Sequence, residues 1–327
     1  MYLDSIDKKL LNLVQAEFPL TSEPYSALGQ RLGIDGSEVI SRIKRLKEEG
    51  IIRQIGPVLE ARRLGYQPTL VAMRVEESEL DRTEQLISQH PGVSHGYERD
   101  HHFNLWFTLA VPPEVDVMTE LKLLTSSLEA KVVFALPAVK VFKIGVYFDM
   151  NGECLSMADT MKQPSGVLVQ KAELAQTDRL VINELQQELP LVTVPFNTMA
   201  IRLGMNEEHF LAQCQSLLQR GIMRRFGASI NHNRAGFKAN AMACWIAPPD
   251  LVDVAGQKLA SLPEVSHCYE RQTNSLWQYN LFAMVHGHTR EACQKIVSDV
   301  SHQIGLNGYI LLFSTKEFKK TRVKYLV

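Results

Sequence analysis

A chain of 327 residues, 45% hydrophobic and 22% charged, is long enough for two or more packed domains, and its formal net charge of −1 argues against a broad phosphate-binding surface. No run approaches the roughly 20 apolar residues of a bilayer span, and Met1-Tyr2-Leu3-Asp4-Ser5 lacks the basic-then-apolar order of a secretory signal, so a cytoplasmic protein without membrane attachment is expected. The five scattered cysteines contain no Cys-x-x-Cys pair and read as buried thiols, not as disulfides or a zinc site.

Ile6, Leu10, Leu13 and Val14 fall at helical spacing, which predicts a first helix ended by Phe18-Pro19. A second short helix fits residues 25–32. Asp35-Gly36-Ser37-Glu38 then offers a capping box, and Val39, Ile43 and Leu46 stripe a third helix that stops at Gly50. Three short helices followed by Gly50-Ile51-Ile52-Arg53 suggest a winged helix-turn-helix. Next come a strand over 69–75, a helix over 78–90, strands over 93–99 and 104–111, a helix over 115–128, and a strand over 132–148 with a break near Pro137. That βαββαβ order belongs to a ferredoxin-like antiparallel sheet with both helices on one face.

The chain then repeats itself. Asp7, Pro19, Gly50 and Gly65 recur 171 residues later as Asp178, Pro190, Gly221 and Gly236; His95 recurs as His267 after 172, and Asn104 and Phe142 as Asn280 and Phe318 after 176. The expected architecture is an α+β internal pseudo-dimer of two tandem modules: helix-turn-helix 1–60, ferredoxin-like domain 61–150, a linker 151–176 marked by Pro164-Ser165-Gly166, helix-turn-helix 177–231 and ferredoxin-like domain 232–327.

One phrase is said twice, as Val93-Ser94-His95-Gly96-Tyr97-Glu98-Arg99 and as Val265-Ser266-His267-Cys268-Tyr269-Glu270-Arg271. Strand alternation puts His95, Tyr97 and Arg99 on one face, and His267, Tyr269 and Arg271 likewise. Such a set is either a hydrogen-bonded polar layer between sheets or a site that moves protons and holds anions. His101 and His102 follow in a turn, where side chains are free to reach a ligand. The second-half turn is longer, has no histidine, and carries Trp277, which either packs on a flat ligand or fills the core. Arg53, Arg62, Arg63, Arg224, Arg225, Lys140, Lys143, Lys316, Lys319 and Lys320 are suited to carboxylates or to ordinary solvated surface. No spacing supports a metal site of the protein's own, although His101 or His102 alone would suffice as an axial contact to a heme-like iron.

With these residues in view, the helix-turn-helix followed by βαββαβ resembles the Lrp/AsnC regulators over nearly all of both halves. More narrowly, Gly92 to His101, Phe103 to Leu109, Val265 to Arg271 and Tyr279 to Gly287 resemble the sirohaem decarboxylase family, in its fused two-subunit form. The resemblance implies loss of carbon dioxide from two acetate side chains to give 12,18-didecarboxysirohaem, on the way to haem d1 or an alternative haem route. It implies no redox or other cofactor, the iron being part of the substrate. His95, His101, His102 and His267 are then acid/base or iron-contacting candidates, assisted by Tyr97 and Tyr269, and Arg99, Arg271, Arg53, Arg224 and Trp277 are substrate-binding candidates. One working site per chain is expected. The partner is a tetrapyrrole, with a homo-oligomer or companion pathway proteins left open.

The rival reading is a DNA-binding regulator that senses a small molecule. Arg42, Lys44, Arg45 and Lys47 on the first recognition-type helix favour it. The equivalent stretch 206–220 offers Glu207, Glu208 and only Arg220 as a cation, so DNA is not the expected partner.

Overall fold

Each half opens with three short helices: α1 (Ser5–Ala16), α2 (Pro24–Leu32) and α3 (Gly36–Glu48) in the first, and α6 (Gln176–Leu185), α7 (Pro195–Arg202) and α8 (Glu207–Gln219) in the second. The computed structural model describes residues 3–126, 128, 132–145, 150, 170–231 and 239–327. Most of the expected linker, with Pro164-Ser165-Gly166, and the end of the strand expected to reach residue 148 lie outside the described residues, as do Cys154 and Gly236. The other four cysteines are buried free thiols.

The capping box forms at α1, where Asp4 and Asp7 cap each other's backbone N–H, and not at Asp35. Asp35 makes no side-chain cap, and the Glu38 carboxylate that would return the second bond of the box is held instead by Arg42 one turn on, at 2.8 Å. Asp7 is almost wholly buried and is satisfied by Arg42 at 2.9 Å and Arg45 at 2.7 Å; its repeat, Asp178, is held by Arg220 at 2.8 Å. The basic face of α3 therefore turns partly inward.

Among the described residues no wing hairpin forms within either half. The single strand after each third helix, β1 (Ile52–Leu59) and β6 (Met223–Ile230), would leave its backbone groups unpaired alone, and the two zip together antiparallel across the pseudo-dimer. Gly56 lies opposite Gly227, and a Cβ on Gly227 would meet the Val14 carbonyl oxygen at 2.8 Å, so the ribbon packs directly on α1. One continuous core runs through both helix-turn-helix units and this ribbon.

The remaining strands are β2 (Gln67–Arg74), β3 (Val93–Arg99), β4 (Leu105–Val111), β5 (Val132–Ile144), β7 (Ala239–Trp245), β8 (Val265–Arg271), β9 (Leu281–Gly287) and β10 (Tyr309–Lys320). A short 3-10 turn at Glu77–Glu79 leads into α4 (Leu80–Gln89); α5 (Val117–Thr125), α9 (Val252–Ser261) and α10 (Arg290–Ile304) complete the modules. The two sheets close into one eight-stranded barrel, β10-β3-β4-β2-β5-β8-β9-β7. Closure depends on the two long strands. β5 pairs with β2 of its own half as far as Pro137 and with β8 of the other half from Ala138; β10 pairs with β7 up to Phe313 and with β3 from Ser314. Pro137 is thus not a break but the residue at which β5 passes between sheets, a position where a missing N–H is tolerated. The helices cover the outside over two apolar layers, and the inner faces meet in a third. No helix among the described residues is long and apolar enough to cross a membrane.

Candidate functional site

β3 and β8 each carry a bulge just before the histidine. Val93 pairs with Leu109 but His95 with Thr108, and Val265 pairs with Val285 but His267 with Met284, leaving Ser94 and Ser266 as the extra residues. The bulge sets hydroxyl beside imidazole: Ser94 Oγ lies 2.8 Å from His95 Nδ1, and Ser266 Oγ 2.9 Å from His267 Nδ1. Beyond it, Gly96 lies under the Phe318 ring and Glu98 reaches Lys316, both on the helix side, so His95, Tyr97 and Arg99 face into the barrel. His267, Tyr269 and Arg271 do the same in the other half, where Cys268 points out at the Gly256 carbonyl.

The two phrases meet different neighbours. Lys320 and Glu317 of β10 stand opposite His95 and Tyr97, whereas Ile144 and Val141 of β5 stand opposite His267 and Tyr269. The Tyr97 hydroxyl donates to Glu317 at 3.3 Å, and Lys320 lies 3.6 Å from the same carboxylate. From the ribbon, Arg53 donates to Glu317 at 2.5 Å, and Arg224 pairs with the buried Glu60. Arg62 donates to the Ala138 carbonyl at 3.2 Å. The barrel end nearest the ribbon thus gathers His95, His267, Tyr97 and Tyr269 with Arg53, Arg224 and Lys320.

The electrostatics follow from this crowding. Burial first, then the charges of Lys320, His267 and Arg53, depress the His95 pKa to about 3. Burial again, then Lys320, Arg271, Lys143 and Arg224, depress His267 to about 4. Burial raises the phenols of Tyr97 and Tyr269. Both histidines are neutral at pH 7, in a field that favours anions.

Arg99 and Arg271 lie deeper. Arg99, 5% exposed, donates to the Leu312 carbonyl at 2.9 Å, and Arg271 to Leu136 at 2.9 Å, each reaching onto the long strand that comes over from the other half. Burial lowers both guanidinium pKa values to about 10, and neither forms an ion pair among the described residues. They stack over Tyr97 and Tyr269, with centroid distances of 5.3 and 4.5 Å. These arginines staple the strand crossings and also carry positive charge into the barrel.

The turn residues lie at the other end: β3 carries the chain four residues, roughly 13 Å, from His95 to Arg99 before it bends at Asp100, where the His101 N–H turns back onto the Arg99 carbonyl at 2.8 Å. The tandem pair is divided: His101 accepts the Phe103 N–H at 3.0 Å and packs edge-on to Trp277 at 5.6 Å, while exposed His102 lies 3.4 Å from Arg74. Trp277 is 3% exposed, walled in by Trp106, Phe103, Phe134, Tyr279 and Phe282, and offers no face to a flat ligand. It is a core residue here because the longer second-half turn folds its indole into the barrel's apolar end.

The sequence reading passed over Ser94, Ser266, His286 and Glu317. The serines were signalled by standing before the histidine in both copies, and Glu317 by nothing, since its repeat is Val141. His286 Nε2 lies 2.7 Å from Ser266 Oγ, and its first-half counterpart is Ala110. Among the described residues no cluster of His, Cys, Asp and Glu is arranged to hold a metal ion.

Comparison with known proteins matches this organisation. Residues 7–53 and 178–224 match the family described as "Siroheme decarboxylase NirDL-like HTH domain", and 63–143 and 234–319 match "AsnC-like ligand binding domain". The siroheme decarboxylase of Hydrogenobacter thermophilus is 40% identical, over 97% of this chain and 94% of that protein. A siroheme decarboxylase beta subunit of Methanosarcina barkeri is 40% identical and spans 46% of this chain with 98% of its own length. Crystal structures of the siroheme decarboxylase NirDL, alone and with an iron-uroporphyrin III analogue, superpose with TM-scores of 0.72 over 99% of this chain and 95% of theirs, at 36% and 35% identity. The family match over both helix-turn-helix units and the 40% identity over almost the whole length show that the chain belongs to the sirohaem decarboxylase family of carbon–carbon lyases.

Proposed function

We propose that this chain removes the carboxyl groups of two acetate side chains of sirohaem, giving 12,18-didecarboxysirohaem, at the barrel end that holds His95 and His267. The observation that carries this reading is the meeting of two inward imidazoles with Lys320, Arg53, Arg224 and Arg271, whose charge depresses one or both of them. The iron belongs to the substrate.

The chemistry asks for two services. Carbon–carbon cleavage leaves an electron pair on the methylene carbon, and a proton must replace the departing carbon dioxide. The substrate's other carboxylates must also be held, which suits guanidinium and ammonium groups inside a barrel. The two services are coupled here: carboxylates entering among these cations offset the charge that keeps the imidazoles neutral, and draw them back toward protonation as substrate binds. Tyr97 and Tyr269, with raised pKa values, remain hydroxyl donors throughout. His101 and His102 at the far end are then outside the reaction.

Anaerobic incubation of the purified chain with sirohaem should yield a product lighter by two carbon dioxides in a mass spectrum, with an absorption change on binding. Unchanged sirohaem after prolonged incubation with stoichiometric enzyme overturns the reading.

A further inference from the structure

The two histidine sites share a strand phrase but differ in what stands behind the ring. In the first half Ser94 Oγ pairs with His95 Nδ1 at 2.8 Å, and the position that would add a second ring is Ala110. In the second half the chain continues: His267 Nδ1, Ser266 Oγ at 2.9 Å, His286 Nε2 at 2.7 Å. The β8 bulge turns Ser266 to the barrel side, and His286, alternating with the outward Val285 and Gly287 on β9, points the same way. His286 and His267 are both half-buried, and His286 stands in register with Asn240, which is 7% exposed and whose Oδ1 makes no hydrogen bond among the described residues.

We propose that His286 is a positioning residue that acts through Ser266 to set the tautomer of His267 and refill its proton, so that His267, and not His95, protonates the product carbon. This rests on the function proposed above. A hydroxyl has one proton, so it donates to one ring and accepts from the other. A protonated His286 has hydrogens on both nitrogens and must donate to Ser266; Ser266 must then donate to His267 Nδ1, which leaves His267 with its hydrogen on Nε2, facing into the barrel. Burial first, then Lys320, Arg271, Lys143 and Arg224, disfavour a charge on His267 itself before substrate enters, so in this proposal the extra proton of the pair waits on His286.

The step balances. The bond between the methylene carbon and the carboxylate carbon breaks, carbon dioxide leaves, and the electron pair stays on the methylene carbon. That carbon takes the hydrogen of His267 Nε2, His267 Nδ1 takes the hydroxyl hydrogen of Ser266, and Ser266 takes the Nε2 hydrogen of protonated His286. One proton is drawn from solvent per carboxylate lost, and nothing is oxidised or reduced. Because Ala110 stands in the first half where His286 stands in the second, the halves divide their labour despite a common phrase.

The test uses the full chain labelled with 15N-histidine. The His267 resonances, assigned with His267→Gln, should show the Nε2–H tautomer, and His286→Ala should turn them into a mixture of tautomers. His286→Ala should lower turnover by about a hundredfold, the lower end of a proton-transfer contribution, with sirohaem affinity by absorption titration unchanged. His286→Gln, whose amide still donates to Ser266 but carries no mobile proton, should restore the tautomer but not the rate. An Nδ1–H tautomer in the wild type, or His286→Ala turning over within twofold of wild type, overturns the proposal. Wild-type protein inert toward sirohaem removes the function reading instead, and the tautomer measurement still decides the hydrogen-bond chain.

Discussion

Replacing His95 and His267 together by glutamine should flatten the acid side of the stability curve. Burial, with the cations at the barrel end, holds the two imidazoles at about 3 and about 4, against an ordinary 6.5. At pH values below 6.5, down to those depressed values, the unfolded chain therefore binds a proton at each position that the folded chain refuses. The unfolded state carries more protons in this window, so stability rises with pH across it and is lost as pH falls. From pH 7 to pH 5 the unfolded imidazole goes from about a quarter to almost fully protonated while the folded one stays neutral, which amounts to about 2 kcal/mol for each histidine. Both rings are half-buried, so water at the barrel end makes this an upper figure. Set against a typical total of about 5–15 kcal/mol, a combined loss of about 4 is easily measured. Urea unfolding at pH 5, 6 and 7 should show wild-type protein losing about 4 kcal/mol more than the double variant, with each single variant about halfway. Parallel losses in the wild type and the double variant would refute the reasoning, as would an NMR titration placing either histidine near 6.5.

Gly96→Ala puts a Cβ 2.3 Å from the Phe318 ring and should cost about 1–3 kcal/mol, read as a lower melting temperature; an unchanged midpoint would mean that the ring moves freely. Arg224→Ala strips the buried Glu60 of its ion pair and should destabilise by about 3–5 kcal/mol, with most of the loss recovered when Glu60→Gln is added. His102→Ala should leave sirohaem turnover within about twofold, because the ring is exposed at the far end of the barrel; a loss beyond about tenfold would return that turn to the site. Gel-shift assays should find no sequence-selective DNA binding tighter than about 10⁻⁶ M at physiological salt, since Arg42 and Arg45 are held by Asp4 and Asp7 and Lys47 by Glu188. A selective, salt-sensitive complex would revive the regulator.

Local pattern made much of the fold legible. The spacing of Leu10 and Val14 or of Val39, Ile43 and Leu46 depends only on the 3.6-residue turn, and those side chains are fully buried in the observed core. The βαββαβ order followed from alternation, and the two-fold organisation from counting offsets. Partner choice was not legible. Nothing local says that β1 pairs with β6 rather than folding into its own wing, or that β5 crosses at Pro137, because an edge strand is satisfied by any suitable neighbour. For the same reason Trp277 read as readily as a ligand platform as the core residue it is.

The sequence by itself determined which side chains share a face: His95 with Tyr97 and Arg99, and His267 with Tyr269 and Arg271, since strand period is a property of the chain alone. Only the tertiary structure decided what those faces meet. It set Lys320 and Glu317 beside one histidine and Ile144 and Val141 beside the other, placed Ser266 between His267 and His286, and sent His101 and His102 to the opposite end. Proximity across strands comes from register and closure, which are settled by many weak contacts acting together and are written in no single stretch of residues.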